Sequence, residues 1–538
     1  MKKVSEFIKA YKFRILYFFA VFFLGYLIYG HTFNFGFTYL DDNALIIERI
    51  DEMDSPAKIK NFIFKPVFKE NTSKFYRPVL NISLIIDTVI SGGESGFYHY
   101  SNMMLHIISA FLLLLFFKEL GYSDTSSFIV SILFIVHPAL VSAVAWIPGR
   151  NDILLAIFSF LAFIFFIRSL KTGKTSYFLL TAFSFTIALF TKETALIIPL
   201  IFLAYAFLYE KNFILNRKII AYLTTPVFIY CLTRFFVLYH GSAELNIIKL
   251  AANLINSAAI NIWYFGIIFL TEKIILFPQF HNHTAGFVKG IIPVIILIAL
   301  CFIFRKKINF KRILLGMIWY ILFILPTYAV ANSTYYTHRL YLPLVGIFII
   351  LSEIASAIYK TYPKIKKFFY FILLFLIAFM SFLSYKQTFF YKDRASFWLQ
   401  AQKENPTSAM TNIGTAKYYD SINDLENAEK YTILALSFLK NKKSSPLTSQ
   451  LAYVYLRKGN FEQAKNLYID ALNSGGKYDE RAYITLSKLY VYLNDTESAR
   501  EVINKGLSVM PKSEMLKKRL RILNNEELEK KQYVIIMK

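Results

Sequence analysis

The sequence predicts an all-α protein: a polytopic membrane helical bundle of about eleven spans, followed by an array of helical hairpins. Three observations lead there. Apolar runs of 17 or more residues recur through residues 1–385, and runs of that length can cross a bilayer as helices. Composition agrees, with 56% hydrophobic and 18% aromatic residues, where a soluble domain carries about 45–50% apolar ones. After Tyr385 the pattern turns soluble and repeats with a period of about 34–36 residues.

The formal charge of +25 raises nucleic acid as a partner. Lys and Arg concentrate in short loops between the apolar runs, however, and no stacking or base-reading motif is present. Membrane topology accounts for the charge, and no nucleic-acid partner is expected. Cys231 and Cys301 both fall inside apolar spans, so there is neither a disulfide framework nor a zinc site.

The spans follow in order. Lys2, Lys3, Lys9, Lys12 and Arg14 put the N-terminus in the cytoplasm of a plasma (inner) membrane protein. The first span, Phe13–Gly30, is too long for a signal-peptide core and lacks a small-residue cleavage site, so it reads as a retained anchor. Residues 31–98 then make an external loop of unusual length, the kind that usually carries function. Amphipathic stretches within it, such as Ile59–Phe68, suit the interface. Spans at about Asn102–Phe117, Ser127–Val136, Ile153–Ile167, from Tyr177, Ala195–Leu208 and Ile219–Leu238 alternate between the two sides. Leu254–Leu276 is apolar enough to cross, but crossing would put Arg305-Lys306-Lys307 outside; it is read as re-entrant or interfacial. Spans at about Ile291–Phe304, Ile313–Ala329, Tyr341–Tyr359 and Phe368–Leu383 complete the membrane domain, 1–385.

Residues 386–403 are expected to be a linker, 404–525 the repeats and 526–538 a tail. Leu451-Ala452, Tyr455, Gly459, Ala464, Tyr468 and Ala471 fit one tetratricopeptide repeat; Leu486, Tyr490, Ala499, Ile503, Gly506 and Pro511 fit the next. Pro406, Ile413-Gly414, Ala428 and Ala435 make a looser first copy. On this topology the repeats lie outside, where their concave surface suits an acceptor polypeptide or a partner protein.

Five polar clusters return to the outer face: Asp41-Asp42; Arg77-Pro78 with Asp87, His99 and His106; His137 through Arg150 and Asp152; Lys192-Glu193; and His338-Arg339. Charged groups at membrane depth are expensive and default to functional hypotheses. Acids beside several cations suit a membrane-embedded phosphate ester, the cations neutralising phosphate and a carboxylate taking an acceptor's proton. Plainer readings stand beside this one. Pro78 suits a helix start, and His106, four residues from Asn102, suits a buried hydrogen-bonded histidine. Trp146 and Tyr341 read as interfacial belt residues, and adjacent aspartates can make a simple turn.

At these residues the chain resembles the transmembrane and tetratricopeptide repeat-containing O-mannosyltransferases. The blocks are Phe37 to Ile46 around Asp41-Asp42; Tyr76-Arg77-Pro78-Val79-Leu80 with Asp87, His99 and His106; Phe134 to Pro138 with Trp146 and Gly149 to Asp152; Phe190 to Glu193; and Arg339 to Pro343. The resemblance implies a GT-C-like membrane domain and transfer of a sugar from a polyprenyl-phosphate donor to an acceptor hydroxyl. It implies Asp41 as base, and Asp42 as orienting group. Arg339, with Arg150, Lys192 and Arg77, would bind the donor phosphate. His99, His106, His137, Asp152, Glu193, His338 and Tyr341 would line the substrate pocket. A divalent metal, magnesium or manganese, is left open, with Asp41 or Asp42 as its ligand if there is one. Two blocks depart from the family's pattern: His338 stands where Glu is usual, and Leu140 and Ser142 where His and Glu are usual. These departures leave metal use and the sugar open. A non-enzymatic membrane-anchored scaffold and a transporter of polyprenyl-linked glycans are the competing classes.

Overall fold

Helices carry the chain, and no strand occurs among the described residues of this computed structural model, which are 2–68, 75–210, 217–238, 261–270, 276, 284–329, 336–439 and 444–524. Two units are formed, Met1–Phe397 and Trp398–Lys538.

The long helices of the first unit are α1 (Lys2–Tyr29), α2 (Pro78–Ser91), α3 (Ser95–Glu119), α4 (Asp124–Val136), α5 (Arg150–Thr172), α6 (Thr175–Thr191), α7 (Ile198–Tyr209), α8 (Arg217–Leu238), α9 (Thr284–Ile303), α10 (Phe310–Ala329), α11 (Pro343–Thr361) and α12 (Lys366–Thr388). Among the described residues, seven helices are long and apolar enough to cross a membrane. An eighth candidate is α4 with the turn after it, bent by 56°. Pro138 forces that bend, because proline disfavours a helical His137 and removes an amide donor. The expected fifth, sixth and eighth spans are shorter apolar helices of 10–17 residues. The expected re-entrant segment lies largely outside the described residues; its part 261–269 is helical.

The described residues of 31–98, expected as an external loop, form a folded layer. Pro78 sits at the first position of α2, and Gly92 ends the helix in a left-handed conformation at φ 68°. Leu45, Ile46, Met53, Phe62, Val67, Leu80 and Leu84 build a small core with Tyr98 of α3. The Arg49 guanidinium lies 4.4 Å from the centre of the Phe62 ring and donates to the Val67 carbonyl at 2.6 Å. Within Ile59–Phe68, expected to suit the interface, Phe62 and Val67 are each 1% exposed and turn inward while Phe64 is 68% exposed.

Two crossings set the site's frame. A Cβ on Gly316 would meet the Gly346 carbonyl at 2.6 Å, so α10 and α11 cross backbone to backbone. Trp319 donates to the Leu342 carbonyl at 2.8 Å and pins the turn that opens α11. At the far end of the bundle Arg168 pairs with Glu119 at 2.7 Å and Arg312 with Glu353 at 2.8 Å. The last span ends beside the first: His31 meets the Thr388 hydroxyl at 2.8 Å, and the Gly36 amide donates to the Lys392 carbonyl at 2.7 Å.

Residues 386–403, expected as a linker, are mostly helical, with α12 reaching Thr388 and α13 spanning Arg394–Glu404. The second unit then stacks three hairpins, α14 (Ala409–Ser421) with α15 (Leu425–Ser437), α16 (Ser445–Arg457) with α17 (Phe461–Asn473), and α18 (Glu480–Tyr492) with α19 (Thr496–Val509), closed by α20 (Glu514–Leu523). Each hairpin turns through one left-handed residue, Asn423, Gly459 and Asn494, the residue types that adopt positive φ at least cost. The next amide returns to a tyrosine carbonyl five residues back in all three, Tyr419, Tyr455 and Tyr490, closing the same helix cap. Ala428, Ala435, Ala452, Ala464, Ala471 and Ala499 are fully buried where helices meet. The expected tail lies outside the described residues.

Candidate active site

The two adjacent aspartates have opposite surroundings. Asp42 is fully buried, and its Oδ2 accepts from the Thr38 amide at 2.7 Å, the Thr38 hydroxyl at 2.5 Å and the Tyr39 amide at 3.1 Å. These bonds hold Tyr39 at a φ of 58°, costly for a bulky residue. Burial pushes the Asp42 carboxyl up to about 6 against the lowering effect of those donors. Asp41 is half-buried. Burial raises its carboxyl above the ordinary value, and the nearby Arg77 guanidinium opposes that rise. Asp42 builds the loop; Asp41 is the carboxylate presented by it.

The cations around Asp41 come from separate elements. Arg77, at the start of α2, makes a two-pronged pair with Glu193 at 3.0 and 2.5 Å. Lys192 reaches Asp152, in the first turn of α5, at 2.7 Å. Consecutive residues 192 and 193 thus tie α2 and α5 to the end of α6. Arg339, in the turn Thr337–Leu340, has a buried Nη1 with no partner among the described residues, and its guanidinium carbon lies 5.7 Å from the centre of the Tyr336 ring. The charges of Lys192, Arg339 and Arg77 all reach His338, which burial and those cations hold neutral. Tyr336 feels both Asp41 and Arg339, and burial first, then Asp41, pushes its phenol up to about 12.

A cleft opens beside this cluster, lined by Leu40, Ser142, Trp146, Tyr336, Thr337 and His338, with Leu276, Tyr391 and Phe397 at its margin. His338 stacks on Tyr336 with ring centres 5.3 Å apart, and Trp146 lies 5.4 Å from His338. The Ser142 and Thr337 hydroxyls are bonded at 2.8 Å.

Several expected site residues lie elsewhere. Arg150 is 1% exposed and pairs with Asp87 at 2.5 Å, while donating to Asn102 Oδ1 at 2.6 Å and to the carbonyls of Tyr98 and Ser83 at 2.9 and 3.2 Å. A guanidinium so engaged has no face for a phosphate. His106 and Tyr341 bond to each other at 2.6 Å inside an aromatic core with Tyr29 and Phe134. His99 packs under the first loop, its Nε2 at 3.2 Å from the Gly36 carbonyl. His137 caps the turn after α4, Nδ1 accepting from the Ala139 amide at 3.2 Å. The reason is common to all four: their helices or turns face inward and bury the ring. Trp146 and Tyr341 are 7% and 0% exposed, so neither is a belt residue. The cleft residues Ser142, Tyr336 and Thr337 were not foreseen as site residues; the departure at Ser142 from the family's acid was the signal that pointed there.

Asp42 Oδ2 accepts from Thr38 and Tyr39 while its Oδ1 is buried with no partner among the described residues, and among those residues no three His, Cys, Asp or Glu side chains converge. No step below passes through a metal.

A family model, Tetratricopeptide repeat, matches residues 449–474 and 480–513. The chain is also similar to curated proteins over part of its length. Protein O-mannosyl-transferase Tmtc1 of Drosophila melanogaster is 27% identical over 178 residues, 32% of this chain and 20% of that protein. Protein O-mannosyl-transferases TMTC1 and TMTC3 of Homo sapiens are 31% and 30% identical over 139 and 144 residues, 24% and 26% of this chain and 16% of each relative. The matches thus span a fifth or less of those relatives' length. Relatives of this name and a tetratricopeptide match agree with the resemblance drawn from the five sequence blocks.

Proposed function

We propose that the protein is an integral membrane glycosyltransferase that moves a sugar from a polyprenyl-phosphate donor to a hydroxyl of an acceptor polypeptide, on the outer face of the membrane. One observation carries this reading: Asp41 within the charge of Arg77, and Arg339 against the Tyr336 ring with an Nη1 that is buried and has no partner among the described residues, beside the paired charges Arg77–Glu193 and Lys192–Asp152. The relatives' printed activity, protein O-mannosyl transfer, supports it.

The chemistry is a single displacement with inversion. Asp41 takes the proton of the acceptor hydroxyl as its oxygen forms a bond to the anomeric carbon. The bond from that carbon to the phosphate oxygen breaks, and polyprenyl phosphate leaves with the electron pair. Arg339 neutralises the leaving phosphate, and Arg77 and Lys192 add positive potential although each already has a carboxylate partner. Asp42 orients the loop instead of reacting. The repeats offer a surface for the acceptor polypeptide.

Sugar release from radiolabelled polyprenyl-phosphate donors, by the full chain purified in detergent, tests the reading. Asp41→Asn lowers turnover by about 10²–10⁴-fold, the worth of a general base. Equal rates in both proteins would remove Asp41 from the mechanism. No turnover with any donor would leave a membrane-anchored scaffold.

A further inference from the structure

The strained residue of the Asp41 loop is Tyr39, whose φ of 58° is costly for an aromatic side chain. A backbone held in such a region persists only where its surroundings fix it, and working sites are where such residues gather. On the backbone side, the Tyr39 amide donates to Asp42 Oδ2 at 3.1 Å. The ring has a partner of its own. The Arg394 guanidinium carbon lies 4.8 Å from its centre, within the range of a cation–π pair.

Arg394 belongs to the stretch that follows the last span, and that stretch meets the same loop at other points. The Gly36 amide donates to the Lys392 carbonyl at 2.7 Å. The His31 and Phe35 rings lie 4.8 and 5.7 Å from the ring of Phe389. Leu40 lines the cleft that Tyr391 and Phe397 border. Asp393 Oδ1 accepts from the Ser396 amide at 2.7 Å and caps α13, so the Arg394 side chain leaves a fixed backbone.

This contact is badly placed to serve stability. Tyr39 is 40% exposed and Arg394 is half-buried, and a cation–π pair at such a site is weak beside core packing. It is well placed to serve geometry. Were Tyr39 to relax to a negative φ, its amide would turn away from Asp42, and Asp41, between the two, would move with it. Misplacing a reacting group by about 1 Å costs about 10²-fold in rate.

We propose that Arg394 is a positioning residue: its guanidinium pins the Tyr39 ring and so keeps the left-handed turn that presents the Asp41 carboxylate to the acceptor hydroxyl. The assignment rests on the glycosyltransferase reading above. Arg394 acts through Tyr39, and neither donor nor acceptor has to touch it.

The test uses the full chain in detergent with radiolabelled polyprenyl-phosphate donors, and reads kcat, donor KM and the unfolding midpoint of each variant. Arg394→Gln lowers kcat by about tenfold with donor KM within about twofold, and the midpoint stays where it was. Arg394→Lys keeps a cation over the ring and recovers most of the loss. Tyr39→Phe keeps the ring and the activity. Tyr39→Leu removes the ring and lowers kcat; in that background Arg394→Gln costs less than about twofold, because the two side chains act as a unit. Amide exchange across residues 36–45 quickens in Arg394→Gln as the loop relaxes. An unchanged kcat in Arg394→Gln overturns the proposal. So does a raised donor KM with kcat intact, which would give Arg394 to the phosphate. A lowered midpoint with full activity in the folded protein would make the contact structural only, and a full tenfold loss in the Tyr39→Leu background would mean that Arg394 acts elsewhere; either result overturns it. Turnover lost in Asp41→Asn but kept in Arg394→Gln leaves the enzyme standing without this residue. Absence of turnover by the unmodified chain removes the glycosyltransferase reading and the positioning role together.

Discussion

At the scale of single residues, the adjacent aspartates make separable predictions. A base must be deprotonated to work, so kcat/KM rises with pH and levels off above the raised value of Asp41. A pH–rate profile with its acidic inflection at or below the ordinary 3.8 would contradict the burial of that carboxyl. Asp42 acts on stability. Its folded value, raised from 3.8 to about 6, means the fold prefers the protonated form. That contribution is complete below 3.8 and is lost as pH rises through about 6. Thermal midpoints of the full chain in detergent should fall across that window, and Asp42→Asn should flatten the slope. Arg150 and Arg339 divide similarly. Arg150→Met leaves Asp87 as a buried unpaired charge and costs about 3–5 kcal/mol of stability. Arg339→Gln leaves the midpoint nearly unchanged and raises the donor KM. The reverse pattern would exchange their roles.

At the scale of elements, one device repeats. The hairpins of the second unit turn at Asn423, Gly459 and Asn494. A Cβ at 459 meets no atom within 4 Å, so Gly459→Ala pays only for its left-handed backbone, φ 78°. The expected cost is about 1 kcal/mol. Amide exchange in α16 and α17 of the full chain should quicken accordingly, and Asn494→Gly should have almost no effect on α18 and α19. Gly459 was legible in the sequence because it stands at the turn of a known repeat, whereas Asn423 and Asn494 were not singled out. The layer formed by the described residues of 31–98 was not legible. Its hydrophobic residues, Phe62, Val67 and Leu80 among them, lack a long helical or strand period, and only tertiary contact reveals that they face one another.

At the scale of the whole molecule, the sequence yielded the helical class, the repeats and the frame Arg77, Asp152, Lys192 and Glu193, because charges at span ends stand out against apolar runs. It could not say which cations are already paired. Arg150 and Arg339 look alike as letters, and only packing gives one to Asp87 and leaves the other with a nitrogen that has no partner among the described residues. His106 is the buried hydrogen-bonded histidine that its spacing from Asn102 suggested, and His137 is likewise taken up by the turn that follows it. In a chain lacking Cys231 and Cys301, a cysteine placed at Glu94 should react with an impermeant maleimide in intact cells, and one at Lys307 should react only after lysis. Labelling of both would break the proposed topology.

The bonds from His31 to Thr388 and from Gly36 to Lys392 have a consequence in time. Ribosomes make the first span long before the last, yet the loop that carries Asp41 is fastened to residues that arrive some 350 positions later. During synthesis the Asp41 loop therefore waits on an unfinished scaffold. A chain stopped before α12 would insert most of its spans and still lack the anchor that holds the Asp41 loop, so competence would come only with the final crossing.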